Sequence, residues 1–228
     1  MGRGADYRVE LSRLERADWP AYLDQHSGLP GPRGNIELAL AVADAGDDAL
    51  FDELVASNDE YRTFCGVVGL GARAAESQVS DRLHAIASDE RWRVREAVAM
   101  ALQRLGDRDL PAMQAIVLDW ARDDNPLVQR AAAAGICEPR LLASAEAAAV
   151  AVEVCRRATV ALARRPEQVR REPGVRTLRQ ALGYCWSVAV AADPVPGLRA
   201  FRALNETDPD VAWIVRTNLT KKRLARLL

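Results

Sequence analysis

Lysine is nearly missing from this chain: of its 31 basic residues only Lys221 and Lys222 are not arginines. Histidine is as scarce. His26 and His84 stand alone, in no HExxH or paired arrangement, so a histidine-built metal centre has no support and no metal or cofactor is called for. The four cysteines, Cys65, Cys137, Cys155 and Cys185, are spaced by 72, 18 and 30 residues. That is neither a CxxC knuckle nor a dense disulfide framework, and it points to a reducing, cytoplasmic setting. A GxSxG elbow is absent. No run of alternating Val, Ile, Thr or aromatic residues lies between Asn-Gly or Asp-Gly turns, so a β-sheet has no support. The longest apolar stretch, Ala147 to Val152, falls far short of the ~20 residues that cross a bilayer. Met1 to Asp18 lacks the apolar core of an export signal. What remains is 228 residues, 49% apolar and 28% charged, long enough to bury a core and too apolar for disorder. The abundance of alanine beside so little lysine has the look of a GC-rich bacterial genome.

Helix punctuation is frequent. Asn35 before Ile36, Ser57 with Glu60 as a capping box, and Ser144 before an alanine-rich run read as helix starts. Asn125-Pro126, Asp193-Pro194 and Asp208-Pro209 place a capping side chain before a proline at the first helical position, where its missing N–H costs nothing. Apolar or small residues at offsets 0, 3, 4, 7 and 8 trace one helix face. The pattern recurs from Tyr61, Val94, Val128, Val175 and Val211, broken only by Arg179 and Asn218. Successive starts are 33, 34, 47 and 36 residues apart, and each interval holds one further helix: Val79 to Ala87, Leu110 to Ala121, Ala145 to Ala163 and Val195 to Leu204, with Ala49 to Val55 before the first. A two-helix unit cannot bury its apolar face alone, so units of this period stack sideways around a continuous core.

These repeats resemble HEAT repeats. The resemblance rests on an acidic residue five positions before the apolar start and a Val-Arg or Val-polar pair at it: Asp89 before Val94-Arg95, Asp123 before Val128-Gln129, and Glu206 to Asp210 before Val211. It implies that Asp89 caps its helix and that Arg95 ties neighbouring units, and it is strongest over residues 58 to 136. The unit at Val175 departs, with Arg170 where the acid belongs, and Ala212 replaces the Arg in the last unit. The expectation is an all-α, right-handed α-solenoid of about five HEAT-like helix-turn-helix repeats over residues 35–228. Residues 1–34 form an N-terminal helical cap, ended by the breaker Leu29 to Gly34, and Lys221 to Leu228 a short closing helix.

Net charge hides a gradient: residues 1–90 sum to −9, residues 91–150 to zero and residues 151–228 to +8. Eight arginines, Arg156, Arg157, Arg164, Arg165, Arg170, Arg171, Arg176 and Arg179, fall within 24 residues. They are the candidate binding patch, since such a row suits backbone phosphates, although helix C-termini and solubility also favour arginine. The stretch Trp120 to Arg130 resembles HEAT-like alkylpurine DNA glycosylases, in which aromatic residues and an Asp face a cationic lesion. That resemblance makes Trp120, Asp123 and Trp92 an alternative cleft, although the chain has no adjacent Trp pair followed by Asp. The glycines of Cys65 to Gly71 lack the spacing of a phosphate loop and read as close helix packing; most of the five tryptophans read as core. With no catalytic constellation, the leading expectation is a non-catalytic scaffold for a protein partner. DNA or RNA binding through phosphate contacts is the alternative, and head-to-tail self-association would use the same charge gradient.

Overall fold

Short side chains that accept backbone N–H groups open seven of the helices. In the computed structural model, which describes residues 3–31 and 33–228, Asn35, Asp47, Asp59, Asp109, Asn125, Ser144 and Asp208 all cap in this way. Met1, Gly2 and Pro32 lie outside the described residues, and with them part of the expected breaker. Two starts differ from the sequence reading. The cap of the helix at 60 is Asp59, because Ser57 Oγ instead accepts the Asp59 N–H (3.1 Å) and leaves the Asp carboxylate to receive Arg62 N–H. Asp193 precedes its proline but makes no side-chain cap bond.

The described residues are all-α, without a strand, and divide into two compact units at Leu105/Gly106. The first unit holds α1 (Arg3–Arg13), α2 (Trp19–His26), α3 (Ile36–Ala45), α4 (Asp48–Ala56), α5 (Glu60–Leu70), α6 (Ser77–Ile86) and most of α7 (Trp92–Arg108). Two helices, α1 and α2, occupy the N-terminal region; α1 packs against α3, and α4 along α5. That last approach is close because Gly66 and Gly69 face it: a Cβ on Gly66 would lie 2.8 Å from the Phe51 carbonyl and the Val55 nitrogen. The glycine run is therefore a helix-packing device.

The second unit holds α8 (Leu110–Trp120), α9 (Pro126–Ile136), α10 (Ala145–Arg164), α11 (Glu167–Arg170), α12 (Pro173–Ala192), α13 (Pro194–Arg202), α14 (Pro209–Leu219) and α15 (Lys222–Ala225). Here α9 packs on α8, α10 and α12, and α12 in turn on α13 and α14. Cys137, Cys155, Cys185, Trp186 and Leu182 lie in this core. The position that breaks the apolar pattern in the last repeat is also buried: Asn218 accepts Ser187 N–H (2.8 Å) and donates to the Leu182 and Ile214 carbonyls (2.9 and 2.8 Å). It is a polar bridge between α14 and α12.

One loop geometry recurs before successive second helices. The side chains of Thr63, Arg95 and Gln129 each donate to the main-chain carbonyl six residues earlier, on Ser57, Asp89 and Asp123 (2.9, 2.6 and 2.7 Å). The residue at that carbonyl accepts, through its side chain, the N–H two positions ahead, on Asp59, Arg91 and Asn125. Asp89, expected to cap its helix, accepts the Arg91 N–H in the loop just before α7, and the Arg95 bonds described here close the same loop, on the Asp89 and Glu90 carbonyls. Across this repeat Arg91 reaches Thr63, at 3.3 Å.

Candidate binding cleft

In the second unit, the unit that departs from the repeat pattern puts Arg170 where an acid belongs, and the consequence is chemical. Its guanidinium gathers carbonyls, donating to Arg165 O (2.8 Å) and to Ala163 O, and turns its remaining edge to Asp208 Oδ2 (2.5 Å) at the start of α14. Arg179, on α12, bonds Asp210 Oδ1 at 2.6 Å and stacks on the Trp213 ring, 4.7 Å from its centroid. Gly183 lets that indole lie close, since a Cβ there would come within 2.8 Å of it.

Between these ion pairs opens a cleft of about 770 Å³, lined by Arg170, Arg171, Arg176 and Arg179 on one side and by Asn205, Thr207, Asp208 and Asp210 on the other. Burial pushes the Asp208 carboxyl up, but the hydrogen bond from Arg170 and the backbone N–H groups of Val211 and Asp210 outweigh it and hold the group below the ordinary carboxylate range. The carboxylate therefore stays charged at neutral pH, and the pair reads as a fixed plus-minus contact.

Half of the sequence-identified patch converges here. The other four arginines do not line the cleft: Arg156 and Arg157 both clamp Glu153 (2.7 and 2.6 Å), and Arg165 donates to Asp124 O (2.7 Å) and Gln129 Oε1 (3.3 Å). Arg156 first and Arg157 with it draw the Glu153 carboxyl down to about 2. Arg171 pairs with Glu167 at 2.9 Å on an exposed surface. Among the described residues, only Arg164 and Arg176 of the eight have no side-chain partner, and both are exposed. The acids that neutralise Arg170 and Arg179 sit about 30 to 40 positions away in sequence, which is why a count of local charge missed them.

The alternative cleft residues are distributed differently. Trp120 is 4% exposed, so its ring belongs to the packing of the second unit. Asp123 shapes its own loop by receiving Asn125 N–H. Trp92, in the first unit, is 49% exposed with the Arg93 guanidinium 4.7 Å above its ring. It departs from the reading of tryptophans as core, which Trp19, Trp120 and Trp186 follow, while Trp213 is half-buried. Among the described residues no group of three His, Cys, Asp or Glu side chains could hold a metal ion, and no helix is long and apolar enough to cross a membrane.

Residues 48–137 match the family described as HEAT repeats, the segment that contains the three six-residue loop clamps. Over that segment the chain is similar to HEAT repeats. A crystal structure of AlkD2 from Streptococcus mutans is similar at a TM-score of 0.69, with 15% identity over 90% of this chain and 98% of that one. At that identity the likeness is one of fold. Two engineered proteins also align, at 15% identity and TM-scores of 0.37 and 0.38, over all of this chain and 98% and 99% of theirs. No curated protein matches the sequence. Over residues 48–137 the likeness to HEAT repeats accounts for the capped, paired helices; the arginine cleft lies outside that segment, on the part where the motif is least regular.

Proposed function

We propose that this protein is a non-catalytic HEAT-repeat scaffold that holds a protein partner, and that the cleft between the starts of α12 and α14 is part of the surface it uses. The observation that carries this reading is the internal pairing of the arginine row. Six of its eight members already contact carboxylates or carbonyls, so the cleft offers alternating charge of both signs. Mixed charge beside half-buried Trp213 suits a protein surface, whose own charges can be matched pair by pair. In this reading residues 1–34 cap the repeats that begin at residue 35, and four free, buried thiols fit a cytoplasmic setting.

A second reading, nucleic-acid binding, is favoured by exposed Arg164 and Arg176 and by the resemblance of Trp120 to Arg130 to HEAT-like alkylpurine DNA glycosylases. The two differ in salt dependence. Binding of labelled single- and double-stranded DNA, followed by anisotropy, should be weak, with a slope of log K against log[salt] of about −2 if only two free arginines meet phosphates. The companion measurement is capture of protein partners with the parent chain and with an Arg171→Glu, Arg176→Glu variant. A partner held by the parent and lost by the variant supports the scaffold reading. A DNA slope of about −6 or steeper, abolished in the same variant, would overturn it in favour of nucleic acid.

A further inference from the structure

Two surfaces outside the cleft carry complementary chemistry. In the first unit, α3 exposes Ile36 (49%) and Leu40 (36%), one turn apart, with Glu37 beside them. Residues four apart share a helix face, so these form an apolar ridge with a carboxylate at its flank. The α1 helix, which packs against α3, exposes Val9 as well. Glu37 has no ion pair among the described residues.

The second unit carries the counterpart. A groove of about 530 Å³ is lined by Pro139, Leu142, Val188, Ala191 and Ala192, with Arg223 at its rim. Arg223 donates to the Tyr184 hydroxyl (2.8 Å) and lies 5.1 Å from that ring, and Lys221 Nζ lies 6.0 Å from it. No carboxylate neutralises Lys221, Lys222, Arg223 or Arg226 among the described residues. This is an apolar floor under uncompensated cations. The whole units follow suit: the first carries 12 basic against 18 acidic residues, the second 19 against 14, so the first nets −6 and the second +5.

We propose that the Ile36/Glu37/Leu40 ridge of one copy docks in the Val188/Ala191/Arg223 groove of a second copy, with Glu37 opposite Arg223 and Lys221. The two faces are different surfaces, so the contact is heterologous, and each copy has one of each to offer. Opposite net charges speed the encounter, and the apolar ridge supplies the area removed from water. The contact involves none of the cleft residues, so the scaffold reading and this one stand or fall separately.

The test is sedimentation velocity over a concentration series at about 50 and 300 mM salt, with each variant's fold checked by its helical circular dichroism and melting profile. The parent should show concentration-dependent association that weakens at the higher salt. Glu37→Arg alone and Arg223→Glu alone should each weaken it by about tenfold or more, since each places like charges together. Mixed in equal amounts, the two variants should recover association, because every ridge then finds a groove of opposite charge. An Arg171→Glu, Arg176→Glu variant should associate like the parent. A parent that stays monomeric at both salts, variants that associate as it does, or a mixture that fails to recover would each overturn the proposal.

Discussion

Replacing Asn218 by leucine tests whether a polar residue can be the strongest single tie in the second unit. The side chain has no exposure and makes three hydrogen bonds, accepting Ser187 N–H and donating to the carbonyls of Leu182 and Ile214. Leucine has the same branching but is larger, so the change opens no cavity and adds some overpacking to the lost polar contacts. Each intramolecular hydrogen bond is worth about 1 kcal/mol net, and a buried partner left unpaired costs about 1–3 kcal/mol. Ser187 N–H in the middle of α12 is the partner that loses most, since water does not reach it. The expected loss is about 3 kcal/mol. For a chain of this length each kcal/mol moves the melting temperature by about 2–4 °C, so the midpoint should fall by about 6–12 °C in a thermal melt followed by circular dichroism. Asn218→Asp should be worse, because it keeps the acceptor, loses both donors and buries a charge. A leucine variant that melts within about 2 °C of the parent refutes the reasoning, and would mean that the apolar template tolerates either residue there.

Three further outcomes follow from particular contacts. Gly66→Ala should destabilise by about 1–3 kcal/mol, because its Cβ meets α4 backbone at 2.8 Å, whereas Gly174→Ala meets only side-chain carbons at 3.3 Å or more and should cost much less; chemical denaturation separates them. Glu153 has a folded pKa of about 2, below its ordinary value of 4.5, so its pairing stabilises fully above pH 4.5 and is lost as the pH falls toward 2. Denaturant midpoints measured across that window should flatten in Glu153→Gln. The cysteines are fully buried, and burial raises the Cys65 thiol well above its usual range. A thiol reagent should label the native chain slowly and all four positions once denaturant is added; rapid native labelling of Cys65 would contradict the packing described.

Much of this fold was legible before any coordinates. Capping residues beside helix-starting prolines and a face pattern recurring every 33 to 47 residues are local signals, and HEAT-like paired helices are the outcome. The Ser57 capping box failed because two nearby side chains competed for the same role and Asp59 took it. The loop clamp was only half visible, since Thr63, Arg95 and Gln129 share a donor and a position but no residue type.

The sequence by itself determined the helices, their pairing and the total of each charge, because these depend on residues within a turn or two of one another. Tertiary structure decided what the arginines do. Arg170 and Arg179 meet Asp208 and Asp210 only after α12 and α14 have packed, and a cluster that reads as free positive charge becomes a row of internal contacts with two unpaired members. The same holds for Asn218, which breaks an apolar pattern in one dimension and completes a hydrogen-bonded core in three. Coulomb and hydrogen-bond energies act over a few ångströms of space, and distance along the chain does not measure that separation.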